Sequence, residues 1–384
     1  MHVIELANID DSLNQLYTNF YYYFIIVLSL GTVFILSFGN KENKLKSSYS
    51  RDIYSIALSV GIILYFGLAT LFGIYISDTI LYEWSFRHID ATTPYVPWGE
   101  REALFDNLQI FIYNIGGDQY AYFATFLAII YIGTILLVCY KLMRFNVWVA
   151  LMFFFTSFSF YGYGVNGIRN GAACHIVMLG IIYLLEQNRL KTILAFVLFV
   201  IAYYIHSSTM LPIACALISR FFNLKTSYAI AFWGISIIIS LIAGNAIGEI
   251  FLNLGFDDRF DRYFKGQENL EQMQKDFSYV GFRFDFLLYS AMPILFVWYL
   301  TIKRNFNDFV FNVIANTYIL ANSFWIMVIR ASYSNRFAYL SWFLYPLVFA
   351  YPLSRMNIWE KQERKTAFIL LAYTGFTLIM FLLR

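Results

Sequence analysis

Charge is scarce along this chain. Only 13% of its 384 residues are Asp, Glu, Lys or Arg, against 60% that are hydrophobic, and the mean hydropathy is +0.61. A water-exposed globule of that composition would need an implausibly apolar surface, so a membrane protein follows. Cysteine is scarce too. Cys139, Cys174 and Cys215 all lie inside apolar runs without metal-ligand spacing, which argues for small buried side chains and against redox or zinc chemistry. The net charge of +3 is too small to draw nucleic acid. Internal repeats, low-complexity tracts and soluble domain boundaries are missing, and so is the Gly-x-Ser-x-Gly elbow of an α/β hydrolase. No apolar stretch is confined to the front in the manner of a cleaved signal peptide, so the first hydrophobic segment is expected to stay.

What is present is a succession of apolar runs. Those near 19–37, 53–76, 120–140, 147–163, 170–186 and 192–205 are candidate spans, as are those near 208–220, 228–250, 286–302, 309–329, 337–353 and 366–383. The expectation is an all-α polytopic membrane protein of about twelve transmembrane helices, within a range of roughly 10–14, forming one domain over 1–384. Segments 192–205 and 208–220 are short and separated only by His206 and Ser207, so they read as a kinked hairpin or an uneven pair. Sixteen of the 27 Lys and Arg fall in one alternating set of short loops, among them 38–52 and 354–365, which assigns that set to the cytoplasm and both termini to the outside. Two long outward segments remain, 77–119 and 251–285, with amphipathic surface helices expected over Glu100–Tyr113 and around Glu268–Phe277.

On this topology the intramembrane and near-membrane polar groups share one side: Arg101, Asp118, Arg169, His206, Ser207, Arg283, Asp285, Arg330, Asn335 and Arg336. A charge at that depth snorkels, pairs with another charge or faces a wet cavity. Arg169 lies in GYGVNGIRNGAA at the start of a span, where guanidinium and helix N-terminal amides together make an anion site; the plain alternative is an interfacial arginine reaching headgroups. His206 in YYIHSS suits a general base, or equally a histidine bonded in the core. Asp118 in NIGGDQY either caps the next helix or positions a sugar hydroxyl, with Glu100 and Asp106 as competing carboxylates. Several arginines on one side are the equipment for gripping a diphosphate.

Four passages, NIGGDQYAYF, GIRNGAA, IHSS and SNRFAYLSWFLYP, together resemble the EpsG-like family of Wzy-type exopolysaccharide and O-antigen repeat-unit polymerases, over roughly residues 95–352. Asn114 stands where that family often has arginine, which leaves the anion-binding role there unfilled or transfers it to Arg101. The resemblance implies a multispanning glycosyltransferase joining undecaprenyl-diphosphate-linked oligosaccharide units at the outer face of the bacterial cytoplasmic membrane. Its partners would be membrane lipids, a flippase and a chain-length regulator, and neither a cofactor nor a metal is implied. Carried over passage by passage, it makes Asp118, Arg169, His206 and Arg336 the catalytic candidates. Tyr120, Asn170, Ser207 and Asn335 support them, with Arg101, Arg283, Asp285 and Arg330 as further substrate contacts. An O-antigen ligase would use the same donor, a glycan acyltransferase would need its histidine reachable from the cytoplasm, and a flippase would be expected to show repeats.

Overall fold

The structure is a computed structural model, and it describes residues 11–39, 48–76, 78–143, 146–253, 282–330, 334–356 and 358–383. The described chain is helical. In order come α1 (Asp11–Phe38), α2 (Ser48–Gly67), α3 (Asp78–Arg87), α4 (Ala103–Gly116), α5 (Tyr120–Leu142), α6 (Val147–Phe155), α7 (Phe158–Val165), α8 (Ile168–Leu185) and α9 (Arg189–Ile205). Then follow α10 (Met210–Phe221), α11 (Thr226–Asn253), α12 (Phe284–Trp298), α13 (Phe309–Met327), α14 (Ser334–Trp342), α15 (Tyr345–Arg355) and α16 (Gln362–Leu382). Among the described residues eight helical segments are long and apolar enough to cross a membrane, or nine if the bent pair α6–α7 makes one crossing; Asp52–Gly67 and Ser207–Phe221 are shorter apolar helices. The protein is an all-α, multi-pass membrane protein.

Each apolar run read from the sequence carries helix, and several of these helices are broken. The 53–76 run stops being α-helical at Gly67 and turns through a 3-10 segment, Ala69–Phe72, whose end is Gly73 at φ 74°. The 228–250 run leaves helical geometry at Ala243. The expected surface helix around Glu268–Phe277 lies outside the described residues, whereas within the other segment Ala103–Gly116 is helical, as α4.

The chain divides into two compact units, Met1–Ser207 with Phe349–Arg384, and Ser208–Val348. In the first, the 147–163 run breaks into α6 and α7, bent by 74°. Such a bend frees carbonyls that lipid cannot satisfy. Neighbouring hydroxyls supply the donors: Tyr21 OH donates to Phe155 O and Thr377 Oγ1 to Thr156 O, both at 2.7 Å. Beyond the corner α7 meets α8 closely, because a Cβ on Gly171 would stand 2.6 Å from Tyr163 O. That approach sets where α8, and with it Arg169, begins. Aromatic stacking fills the adjacent layer, with Tyr17 and Tyr65 rings 4.1 Å apart.

In the second unit polar side chains join the helices around α13. Asn322 accepts from Trp233 Nε1 at 2.8 Å and donates to Ser341 Oγ at 3.0 Å. Trp342 Nε1 donates to Ser290 Oγ at 2.7 Å, and the Tyr289 and Tyr345 rings stack at 4.2 Å.

Candidate functional site

The loop leading into α4 is shaped by its own polar residues. Asp90 accepts from Thr92 N at 2.8 Å, and the Asn107 side chain brackets Val96, accepting from its N–H at 2.7 Å and donating to its carbonyl at 2.9 Å. The loop delivers Arg101 and Glu102 to the start of α4. Glu102 adopts φ 58°, ψ 21°, a left-handed conformation that costs a residue with a side chain roughly 1 kcal/mol or more. Its carboxylate is buried nonetheless.

Three elements converge on that carboxylate. Arg169, in the first turn of α8, reaches Oε2 with Nη1 at 2.6 Å, and its guanidinium stands 5.2 Å from the centre of the Phe105 ring. His206, which ends α9, places Nδ1 2.9 Å from Oε1. Ser207 donates to the same oxygen from its backbone and its hydroxyl, each at 3.4 Å, and the Ser207 hydroxyl accepts from Arg101 Nε at 2.8 Å. The cluster therefore contains two arginines, one carboxylate, one imidazole and one hydroxyl.

Its chemistry follows from the pairing. A carboxylate held ionised by Arg169 only accepts, so Nδ1 of His206 carries the hydrogen and the accepting lone pair lies on Nε2. An imidazole oriented in this way can take a proton at Nε2, and the imidazolium so formed is stabilised by the carboxylate behind it. Arg101, exposed, and Arg169, mostly buried, border the same spot with positive charge. Asp106, one turn along α4, feels both partners: burial pushes its carboxyl above the usual range, Arg169 counteracts, and Glu102 adds to the rise.

Of the residues the sequence singles out, Arg101, Arg169, His206 and Ser207 come together here. Glu102, the residue that joins them, is not among those candidates, unlike its neighbours Glu100 and Asp106. The available signal was an acid beside an arginine at the head of an apolar helix, in GEREALFDN.

The other candidates of the first unit lie apart from these contacts. Asp118 is exposed and outside α5, whose N-cap is Gln119; its charge bears on Arg87. Tyr120 is buried against Phe86 and Phe123, with a hydroxyl that has no hydrogen-bond partner among the described residues. Asn170 points into the core and accepts from Cys174 Sγ at 2.9 Å, and all three cysteines are buried and free.

The second unit holds the rest. Arg283 grips Asp285 with two hydrogen bonds, 2.9 and 2.5 Å, at the start of α12, and lies over the Phe286 ring at 3.7 Å. Arg330, half-buried after α13, stands 6.0 Å from the Phe282 ring. Asn335 and Arg336 are half-buried in the first turn of α14.

The sequence model of the EpsG family matches residues 55–384, which includes both units' candidate residues. No curated protein and no solved structure matches the chain.

Proposed function

The chain belongs to the EpsG family, and so to the class of polysaccharide polymerases; on that premise we propose that it is a glycosyltransferase joining undecaprenyl-diphosphate-linked oligosaccharides at the outer face of the bacterial cytoplasmic membrane. The observation that carries the reading is buried Glu102, tying Arg169 to His206. In this proposal about twelve helices cross the bilayer, within a single domain, and the loop distribution of Lys and Arg orients the cluster outward. The acceptor hydroxyl attacks C1 of the donor sugar as the bond from C1 to the diphosphate oxygen breaks. His206 takes the hydroxyl proton at Nε2, and Glu102 stabilises the resulting imidazolium. Arg101 and Arg169 face the negative charge that develops on the departing diphosphate, the electrostatic contribution that is usually largest in such transfers.

The remaining candidates take supporting parts. Asp118 meets sugar, while Tyr120 and Asn170, both buried, pack behind the helix starts; in the second unit, taken by itself, Arg283, Arg330, Asn335 and Arg336 are the groups for phosphate or glycan, with Asp285 setting the Arg283 side chain. The test is polymer length in purified protein supplied with lipid-linked units. Arg169→Ala and His206→Ala are each expected to slow chain growth by roughly 100-fold or more, the usual scale for a lost proton acceptor or oxyanion partner. Undiminished polymer from both variants would sink the assignment.

A further inference from the structure

An apolar groove opens beside the Glu102 cluster and encloses about 610 Å³. Its walls include Leu104 and Leu108 of α4, Ile130 of α5, Ile176 of α8, and Val200 and Ile205 of α9. Every side chain that lines it is aliphatic or aromatic, the most polar being Trp98 and Tyr204, which meet edge to face at 5.7 Å. Such a pair prefers headgroup level, with an apolar body and a polar tip. The groove is continuous in chain with the charged cluster: Leu104 follows Glu102 by two residues, and Ile205 immediately precedes His206. Arg101 and Arg169 do not line the groove but belong to the cluster that adjoins it in chain, and the walls themselves are hydrocarbon.

That polarity matches an amphiphile with an anionic head and an apolar chain. We propose that the groove between α4, α5, α8 and α9 seats the isoprene units nearest the diphosphate of the lipid-linked donor. This rests on the polymerase reading above. The volume falls within the ~300–1,000 Å³ of ordinary ligand sites, too little for a whole long polyprenyl chain, so the distal units stay in the bilayer. Moving a chain from lipid into the groove gains little hydrophobic free energy, because acyl chains are as apolar as leucine. The groove instead contributes by aligning the diphosphate with the arginines.

The experiment uses the full protein in nanodiscs with a lipid-linked donor carrying a diazirine in its head-proximal isoprene units. Labelled peptides are expected from α4 and α9. Val200→Trp, inside the groove, should raise the apparent donor KM about 10-fold with kcat within about twofold, the signature of lost uniform binding. Val197→Trp, on the same helix, outside the groove and similarly exposed, should behave as wild type. If wild type polymerises while the label falls elsewhere, or Val200→Trp is indistinguishable from Val197→Trp, the groove assignment is overturned and the polymerase stands. A straight-chain diazirine phospholipid labelling the groove equally also overturns it. Groove labelling in a protein that makes no polymer upholds the tail site and removes the polymerase instead.

Discussion

Two arginine–carboxylate pairs, one in each unit, show how differently the same chemistry can be set. Glu102 and Arg169 meet across 67 residues of chain, with side chains only 9% and 18% exposed, and the carboxylate also holds His206. Arg283 and Asp285 are two residues apart, and Asp285 is 40% exposed. The first pair fixes three separate elements, the loop before α4, the start of α8 and the end of α9, around one charge. The second orders a single helix start. In the first, loss of one partner strands the other out of water; in the second, solvent takes over.

The sharpest way to break this comparison is Glu102→Gln. It leaves the mostly buried Arg169 without its carboxylate partner, expected to cost roughly 3–5 kcal/mol, and it removes the negative charge that stabilises the His206 imidazolium, so polymer formation should fall at least ~100-fold. Chemical unfolding in detergent and a polymer ladder measure the two effects. A variant as stable and active as wild type would show that the carboxylate only fills space. Asp106→Asn gives a smaller change of opposite sign. Because burial raises the Asp106 pKa in the folded state, folding favours the protonated form, and that preference is lost as pH rises through the raised value. The asparagine variant should therefore gain stability at neutral pH and show no advantage below the ordinary carboxylate range. Unfolding curves at both pH values check the sign. The smallest effect is expected from Asp285→Asn, within about 1 kcal/mol, since half-exposed ion pairs are screened and contribute little. A loss comparable to that of Glu102→Gln would erase the distinction between the two pairs.

The distribution of helices was legible because apolar runs of spanning length admit few other structures in lipid. Their interruptions were less so. The break at Thr156–Ser157 carries neither proline nor glycine, and the donors that make it tolerable come from Tyr21 and Thr377, far away in sequence. The site divides along the same line. Arg169 and His206 stood out as costly polar groups in apolar surroundings, a property each position shows alone. Glu102 did not, since among Glu100, Arg101 and Asp106 it reads as one more surface charge. What distinguishes it is burial against partners 67 and 104 residues later, together with a left-handed backbone, and neither is written in its neighbours.

The stapled corner between α6 and α7 also bears on how the protein is made. Thr377, which donates to Thr156 O, lies 221 residues further along the chain. During synthesis and insertion the Thr156 carbonyl therefore lacks this donor until α16 has left the ribosome and docked. Completion of the corner is thus a late event in biogenesis, and a chain halted before α16 would lack one of its two hydroxyl donors.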